Sequence, residues 1–272
     1  MRHAGLVPRL RDLGYEVIDL GNVPTPVAEA VSAGSSVARY AEPVAQVCRI
    51  VRQQVAQSLR TGRIPLVLGG DHSLAAGTLA GVLDHSPESR VLWLDAHADA
   101  NTPTTTPSGN VHGMPLAAAL GQAPDLFPGL GWDHRHLTPD QVVLVGLRSI
   151  DPGERELIRQ LGIEAYTISD VDRHGIYEIM RRALEKLQPT PRRLHLSFDL
   201  DVVDPQSAPG VGTPVTGGMT IREAHLAMEM LAQAGILGSV EVVEVNAFRD
   251  HQNRTGCLAT DLILSAFGQI IL

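Results

Sequence analysis

The chain has 272 residues, of which 44% are hydrophobic, and a formal net charge of -8, so it is long enough for one large α/β domain or two small ones with a sizeable core. The acidic balance and the absence of a long basic stretch exclude a general nucleic-acid binder, which needs Lys and Arg to neutralise a run of phosphates. The start has no apolar h-region and no window of about 18 apolar residues occurs, so neither secretion nor a membrane span is expected and a cytoplasmic location follows. In chain order, short runs rich in Val, Ile and Leu recur as YEVIDLG (15–21), IPLVLGG (64–70), RVLWLD (90–95), QVVLVGL (141–147), RLHLSFD (193–199) and VEVVEVN (240–246). These read as buried strands. Helical stripes fall between them. Val44, Val47, Val51 and Val55 form one, and Ile176, Ile179, Met180, Ala183, Leu184 and Leu187 another. Thr220 and Glu223 make a capping box that opens a helix to about residue 233, with Ile221, Ala224, Met228 and Leu231 facing inward. Cys48 and Cys257 are too far apart for a thiolate site and read as small core residues.

Alternating strands and helices predict a single three-layer αβα unit over residues 1–272 with a mainly parallel sheet. The cluster from Asn101 to Gly109 reads as a loop within it. Such sheets carry their chemistry at the carboxyl ends of the strands. Three runs end there in ligand-type residues: His72 in GGDHS, then Asp95, His97 and Asp99, then Asp199 and Asp201. Residues two apart in extended chain share a side, so each set can converge. Four carboxylates in one crevice repel one another strongly, and two divalent ions would cancel their charge. Four carboxylates and two imidazoles without a thiolate favour manganese, with cobalt, iron or zinc as substitutes. Two such ions could share a water, lower its pKa and present hydroxide as a nucleophile. Taken singly, an Asp after a strand is as readily a cap or turn residue. Six N and O ligands on three strand ends are hard to explain as caps.

GGDHS, DAHAD and SFDLDVVDP, with EVVEVN following, resemble the metal-binding signatures and the fourth block of the ureohydrolase superfamily, and within it the arginase family. The resemblance implies that His72 and Asp99 hold one manganese ion, that His97 and Asp201 hold the other, and that Asp95 and Asp199 bridge both. Asp99 would also hydrogen-bond the shared hydroxide. His112, in GNVHG, matches a proton-shuttling histidine; Glu244 matches the acid that pairs with a guanidinium group; Thr213 matches a threonine lining the same pocket. The resemblance further implies trimers or hexamers, and a sheet that here lacks the family's usual first strand.

The segment NTPTTTPSGNVHG is similar to the loop of arginases rather than that of agmatinases. By the same resemblance Asn101, Ser108 and Asn110 would hold the α-carboxylate of arginine, Asp151 would face its α-ammonium group, and Glu154 would join that network. A decarboxylated substrate would leave those donors unpaired, which discriminates more strongly than a missing methylene. The expected reaction is hydrolysis of L-arginine to L-ornithine and urea, with agmatinase or another guanidino-compound hydrolase as the alternative. A dormant metal-binding scaffold or regulatory subunit is the alternative outside catalysis. Ser149 stands where the family is often acidic. Outside this context Ser108 and Asn110 are ordinary turn formers, His112 an ordinary loop histidine and Glu244 a strand-end charge. His134 and His136 read as surface residues, and His195, four residues before Asp199, as a hydrogen-bonded interior residue.

Overall fold

Continuous apolar runs cannot leave either face in water, so they must be covered on both sides. Five of the six expected runs do this in the computed structural model, which describes residues 1–187 and 193–270. The chain forms α1 (Leu6–Asp12), a hairpin of β1 (Gly34–Ser35) and β2 (Ala38–Arg39), α2 (Ala41–Arg60), β3 (Leu66–Leu68), α3 (Ala75–His85), β4 (Arg90–Leu94) and α4 (Pro115–Ala119). It continues through β5 (Val142–Leu147), α5 (Pro152–Leu161), β6 (Glu164–Thr167), α6 (Ile168–His174), α7 (Ile176–Leu187), β7 (Leu194–Asp199), α8 (Ile221–Ala234), β8 (Leu237–Val243) and α9 (Arg254–Ala266). Six strands form a parallel sheet in the order β3-β8-β7-β4-β5-β6. The ends of β3, β8, β7 and β4 therefore lie side by side, although they are scattered in sequence.

Strand alternation divides the core. Leu92 and Leu94 of β4 join α1, α7, α8 and α9 on one face, whereas Val91 and Trp93 join α2, α3, α4 and α5 on the other. The Thr220–Glu223 capping box is present, and its helix buries Ala224, Met228 and Leu231. Ile221, expected to face inward, is instead 44% exposed. Cys48 is buried as expected; Cys257 is exposed on the outer side of α9. No helix of the described residues is long and apolar enough to cross a membrane.

The run YEVIDLG is not a strand. Residues 15–21 have no ladder partner among the described residues, and β3, the nearest sheet edge in order, pairs only with β8. Strand-like side chains do not make a strand without a neighbour to take their N–H and C=O groups. The segment is instead held by side chains: Tyr15 donates to the Phe267 carbonyl at 3.0 Å and Asp19 accepts from Arg2 at 2.8 Å. Ile18 and Leu20 stay exposed.

Helices α2 and α3 pack closely because α3 carries glycine at the crossing. A Cβ on Gly77 would lie 2.5 Å from the Cys48 carbonyl oxygen, and one on Gly81 2.6 Å from that of Arg52. Both obstacles are backbone. Gly77→Ala should therefore destabilise the fold by about 1–3 kcal/mol in urea unfolding, despite alanine's better helix propensity. An unchanged or raised midpoint would contradict this packing.

Candidate metal centre and substrate cleft

Each ligand-type residue sits at or just past a strand end, on a turn built by a neighbouring aspartate. Asp71 caps the turn His72–Leu74 by accepting from Ser73 N at 3.0 Å. Asp95 Oδ1 accepts from His97 N at 2.6 Å, and Asp199 Oδ1 accepts from Asp201 N at 2.7 Å. Convergence thus comes from tight side-chain-to-backbone turns and not from strand alternation, since β4 has ended at Leu94 and Asp99 has φ +49°. Asp and Asn tolerate that left-handed conformation better than other non-glycine residues. The cap reading and the ligand reading coexist: Asp199 holds its turn with Oδ1 and faces the crevice with Oδ2, whereas Asp95 Oδ1 both holds its turn and lies beside His97, with Oδ2 beside His72.

The facing atoms are close. His72 Nδ1 lies 2.9 Å from Asp99 Oδ2, 3.1 Å from Asp199 Oδ2 and 3.3 Å from Asp95 Oδ2. His97 Nδ1 lies 3.1 Å from Asp201 Oδ2 and 3.4 Å from Asp95 Oδ1. Asp95 therefore belongs to two groups, one with His72 and Asp99 and one with His97 and Asp201, either of which could hold a metal ion. The donor set fits a hard or borderline divalent cation. One orphaned atom strengthens the fit: His72 Nδ1 is buried and surrounded by carboxylate oxygens, yet it has no hydrogen bond of acceptable geometry.

Around the crevice is an open cleft of about 540 Å³ lined by all the remaining expected residues: Asn101, Ser108, Asn110, His112, Asp151, Glu154, Thr213 and Glu244. Thr213 donates to Asp201 Oδ2 at 3.0 Å. Ring and carboxylate atoms of His112, Glu244 and Asp71 lie within 4.8 Å of one another. Glu244 follows β8 with φ +61° and accepts from His72 N at 2.9 Å, so its backbone bend ties the ends of β3 and β8 together. Asn101 donates to Asp151 at 2.8 Å and accepts from Thr105 at 3.0 Å. Asp151 and Glu154 form the capping box of α5, and Glu154 also accepts from Ala100 N at 3.0 Å. Both oxygens of Glu154 are thus used by backbone amides. His134 is exposed and pairs with Asp133 at 3.0 Å, away from the crevice.

Several residues escaped the sequence reading. Beneath the crevice, His72 Nε2 is 2.8 Å from Ser197 Oγ and 4.0 Å from Glu241 Oε1. His195, interior as expected, is 2.9 Å from Ser239 Oγ and 3.4 Å from Glu241 Oε1. Glu241 is fully buried. A charged residue in the apolar run VEVVEVN was the signal the sequence offered for it. Arg148 donates to the backbone oxygens of Asp201 at 2.5 Å and Val215 at 2.7 Å, clamping the turn that carries Asp201.

Crowding shows in the ionisation. Burial and the charge of Asp95 push Asp99 up to about 8. Burial, with Asp201 and Asp95 adding, raises Asp199 well above the carboxylate range. Burial lifts Glu154 to about 7, and burial with the charge of Asp71 lifts Glu244 to about 7. Burial opposes charge on His97, but Asp201 and Asp95 overcome it and push the imidazole up to about 12. All of these folded values lie above the unfolded ones, so their stabilisation is complete below the unfolded pKa and is lost as pH rises towards the folded one. Asp95, held low by His72 and His97 against its burial, loses stability only in acid. Metal-free protein should therefore unfold at lower urea concentration as pH rises from about 5.5 to about 8, in the presence of a chelator. A flat or rising midpoint over that window would contradict the packing of unneutralised acids.

The family model described as the Arginase family matches residues 2–268. The arginase of Bacillus caldovelox is 48% identical over 273 residues, spanning 100% of this chain and 91% of that protein. The arginase of Bacillus subtilis (strain 168) is 44% identical over 272 residues with the same coverage. The native structure of the Bacillus caldovelox arginase superimposes with a TM-score of 0.94 at 47% identity, over 100% of this chain and 91% of that one. An Entamoeba histolytica arginase in complex with L-ornithine superimposes with a TM-score of 0.80 at 33% identity, over 97% and 92%. Fold, crevice and full-length similarity agree, and the chain belongs to the arginase family.

Proposed function

We propose that this chain is a hydrolase of guanidino C–N bonds that converts L-arginine to L-ornithine and urea. The observation that carries the reading is one cleft in which His72, His97, Asp99 and Asp199, with Asp95 and Asp201 clustered against them, meet a wall of neutral donors, Asn101, Ser108 and Asn110. In this reading His72 and Asp99 would hold one manganese ion, His97 and Asp201 would hold the other, and Asp95 and Asp199 would serve both. Cobalt, iron or zinc could replace manganese. When bound, such ions supply a water acidic enough to act as nucleophile near neutrality. The chain's role as one unit, a homotrimer or homohexamer in the cytoplasm, rests on the family resemblance and on composition.

Glu244 receives the guanidinium group. One of its oxygens is engaged by His72 N, whereas the other faces Gly212, where a Cβ would come within 2.6 Å of it. That oxygen is kept open for a cationic substrate, whose approach favours the ionised carboxylate. Asp151 faces the α-ammonium end, and Asn101, Ser108 and Asn110 face the α-carboxylate. The water oxygen goes to the guanidinium carbon, the bond to the side-chain nitrogen breaks, and both water protons finish on that nitrogen. Arginine cation and water thus give neutral urea and the ornithine cation, with no net proton release. Asp99, beside the nucleophile in this reading, takes the first proton, and His112 at the rim donates to the departing amine.

With Mn²⁺ present, purified protein should release urea from L-arginine and favour it over agmatine by about 10³-fold or more in kcat/KM. Asp99→Asn, which the left-handed backbone tolerates, should lower kcat by about 10²-fold to 10⁴-fold. Preference for agmatine would overturn the substrate, and an unimpaired Asp99→Asn variant would overturn the proton route.

A further inference from the structure

The carboxylate-facing wall of the cleft contains no lysine or arginine, although five carboxylates, Asp99, Asp151, Glu154, Asp199 and Glu244, line the same cleft. An anionic group entering there depends on neutral donors whose orientation is fixed. Asn101 is already committed, its Nδ2 to Asp151 and its Oδ1 to Thr105. Asn110 differs. Its Oδ1 accepts from Arg39 Nη2, and its Nδ2 makes no hydrogen bond among the described residues. A guanidinium is only a donor, so it selects which end of the amide turns towards it and leaves the N–H₂ end for the cleft.

Arg39 is itself held in place. Its backbone N donates to the Gly109 carbonyl at 2.8 Å, and Arg39 and Asn110 form an isolated parallel bridge. The hairpin β1–β2 approaches so closely that a Cβ on Gly109 would lie 1.9 Å from the Ser36 carbonyl oxygen, while Gly109 has φ +72°. Only glycine allows this contact. The following residue, Tyr40, anchors the hairpin to the start of α2, its N donating to the Ala33 carbonyl at 2.7 Å. Ser108 completes the wall: its Oγ accepts from Asn110 N at 3.2 Å, which frees its own hydroxyl hydrogen.

We propose that Arg39, on the hairpin outside the cleft, is a positioning residue for carboxylate recognition: it orients the Asn110 amide so that Nδ2 donates to the substrate α-carboxylate. The proposal rests on the arginine reading of the cleft. Arg39 touches no reacting atom, so it acts on binding of one end of the substrate and not on the bond-breaking step.

The test compares unaltered enzyme, Arg39→Met, which keeps the apolar stem without donors, and Arg39→Lys, which restores one donor. Each is assayed as Mn²⁺-loaded protein with arginine, and with agmatine as substrate or, where turnover is too slow to follow, as competitive inhibitor. Arg39→Met should raise KM for arginine about tenfold with kcat within about twofold, leave agmatine kinetics or inhibition within about twofold, and be largely rescued in Arg39→Lys. Equal losses with arginine and agmatine, a fall in kcat alone, no loss, or no rescue would each overturn the positioning role. Unaltered enzyme that prefers agmatine would refute the arginine reading, and with it this proposal, before any variant is compared.

Discussion

Asp95, Asp99, Asp199 and Asp201 are all buried, and their carboxylates meet between two imidazoles at the ends of β4 and β7. In a low-dielectric crevice four ionised acids this close would cost far more than any local turn could return. The chain relieves the conflict partly by protonation, visible in the raised values of Asp99 and Asp199. Bound cations would relieve it without sacrificing the charge that a cationic substrate needs. Much of the surrounding structure makes sense as support for that arrangement, because a misplaced carboxylate would be both unsatisfied and unpaired.

The support comes in layers. Capping turns spend one oxygen each of Asp95 and Asp199 on backbone amides, which fixes the direction of the other oxygen. Trp93 donates to Asp95 at 2.9 Å and stacks on the His72 ring at 4.4 Å between centroids. Ser197 and Glu241 stand behind the far nitrogen of His72, in the position from which outer partners set a ligating imidazole's tautomer and tilt. Arg148 holds the Asp201 turn from outside. Glu154 makes the corresponding tie between the loop after β4 and the start of α5, since it accepts from Ala100 and from Asp151 at once. The cleft is thus rigid at its floor and is shaped at its upper wall by the loop from Asn101 to Gly113.

What could be read from sequence follows the range of the interactions. Apolar runs specify buried strands locally, and β3, β4, β5, β7 and β8 lie where such runs occur. YEVIDLG carries the same local pattern but has no ladder neighbour, and no property of those seven residues reports that absence. The six ligand-type residues were visible because spacing and strand-end position are sequence properties. The manner of their convergence was not, because it depends on hydrogen bonds such as Asp199 to Asp201 N, which a period-two pattern imitates. Asp151 and Glu154 do carry a capping-box spacing that could have announced α5. Glu241, Arg148 and Arg39 were hidden because their partners lie 46 to 71 residues away: His195 is 46 positions before Glu241, Asp201 lies 53 beyond Arg148, and Asn110 71 beyond Arg39. β1 and β2, two residues each, are too short to leave a periodic trace.

The proposed reaction needs one shared crevice that would hold two cations through Asp95 and Asp199. Crystals grown with Mn²⁺ and measured with X-rays above and below the manganese absorption edge test this directly. The account predicts two anomalous peaks about 3.5 to 4 Å apart, one beside His72 Nδ1 and one beside His97 Nδ1, with Asp95 and Asp199 between them. A single peak, or one lying instead among Asp71, His112 and Glu244, would contradict it.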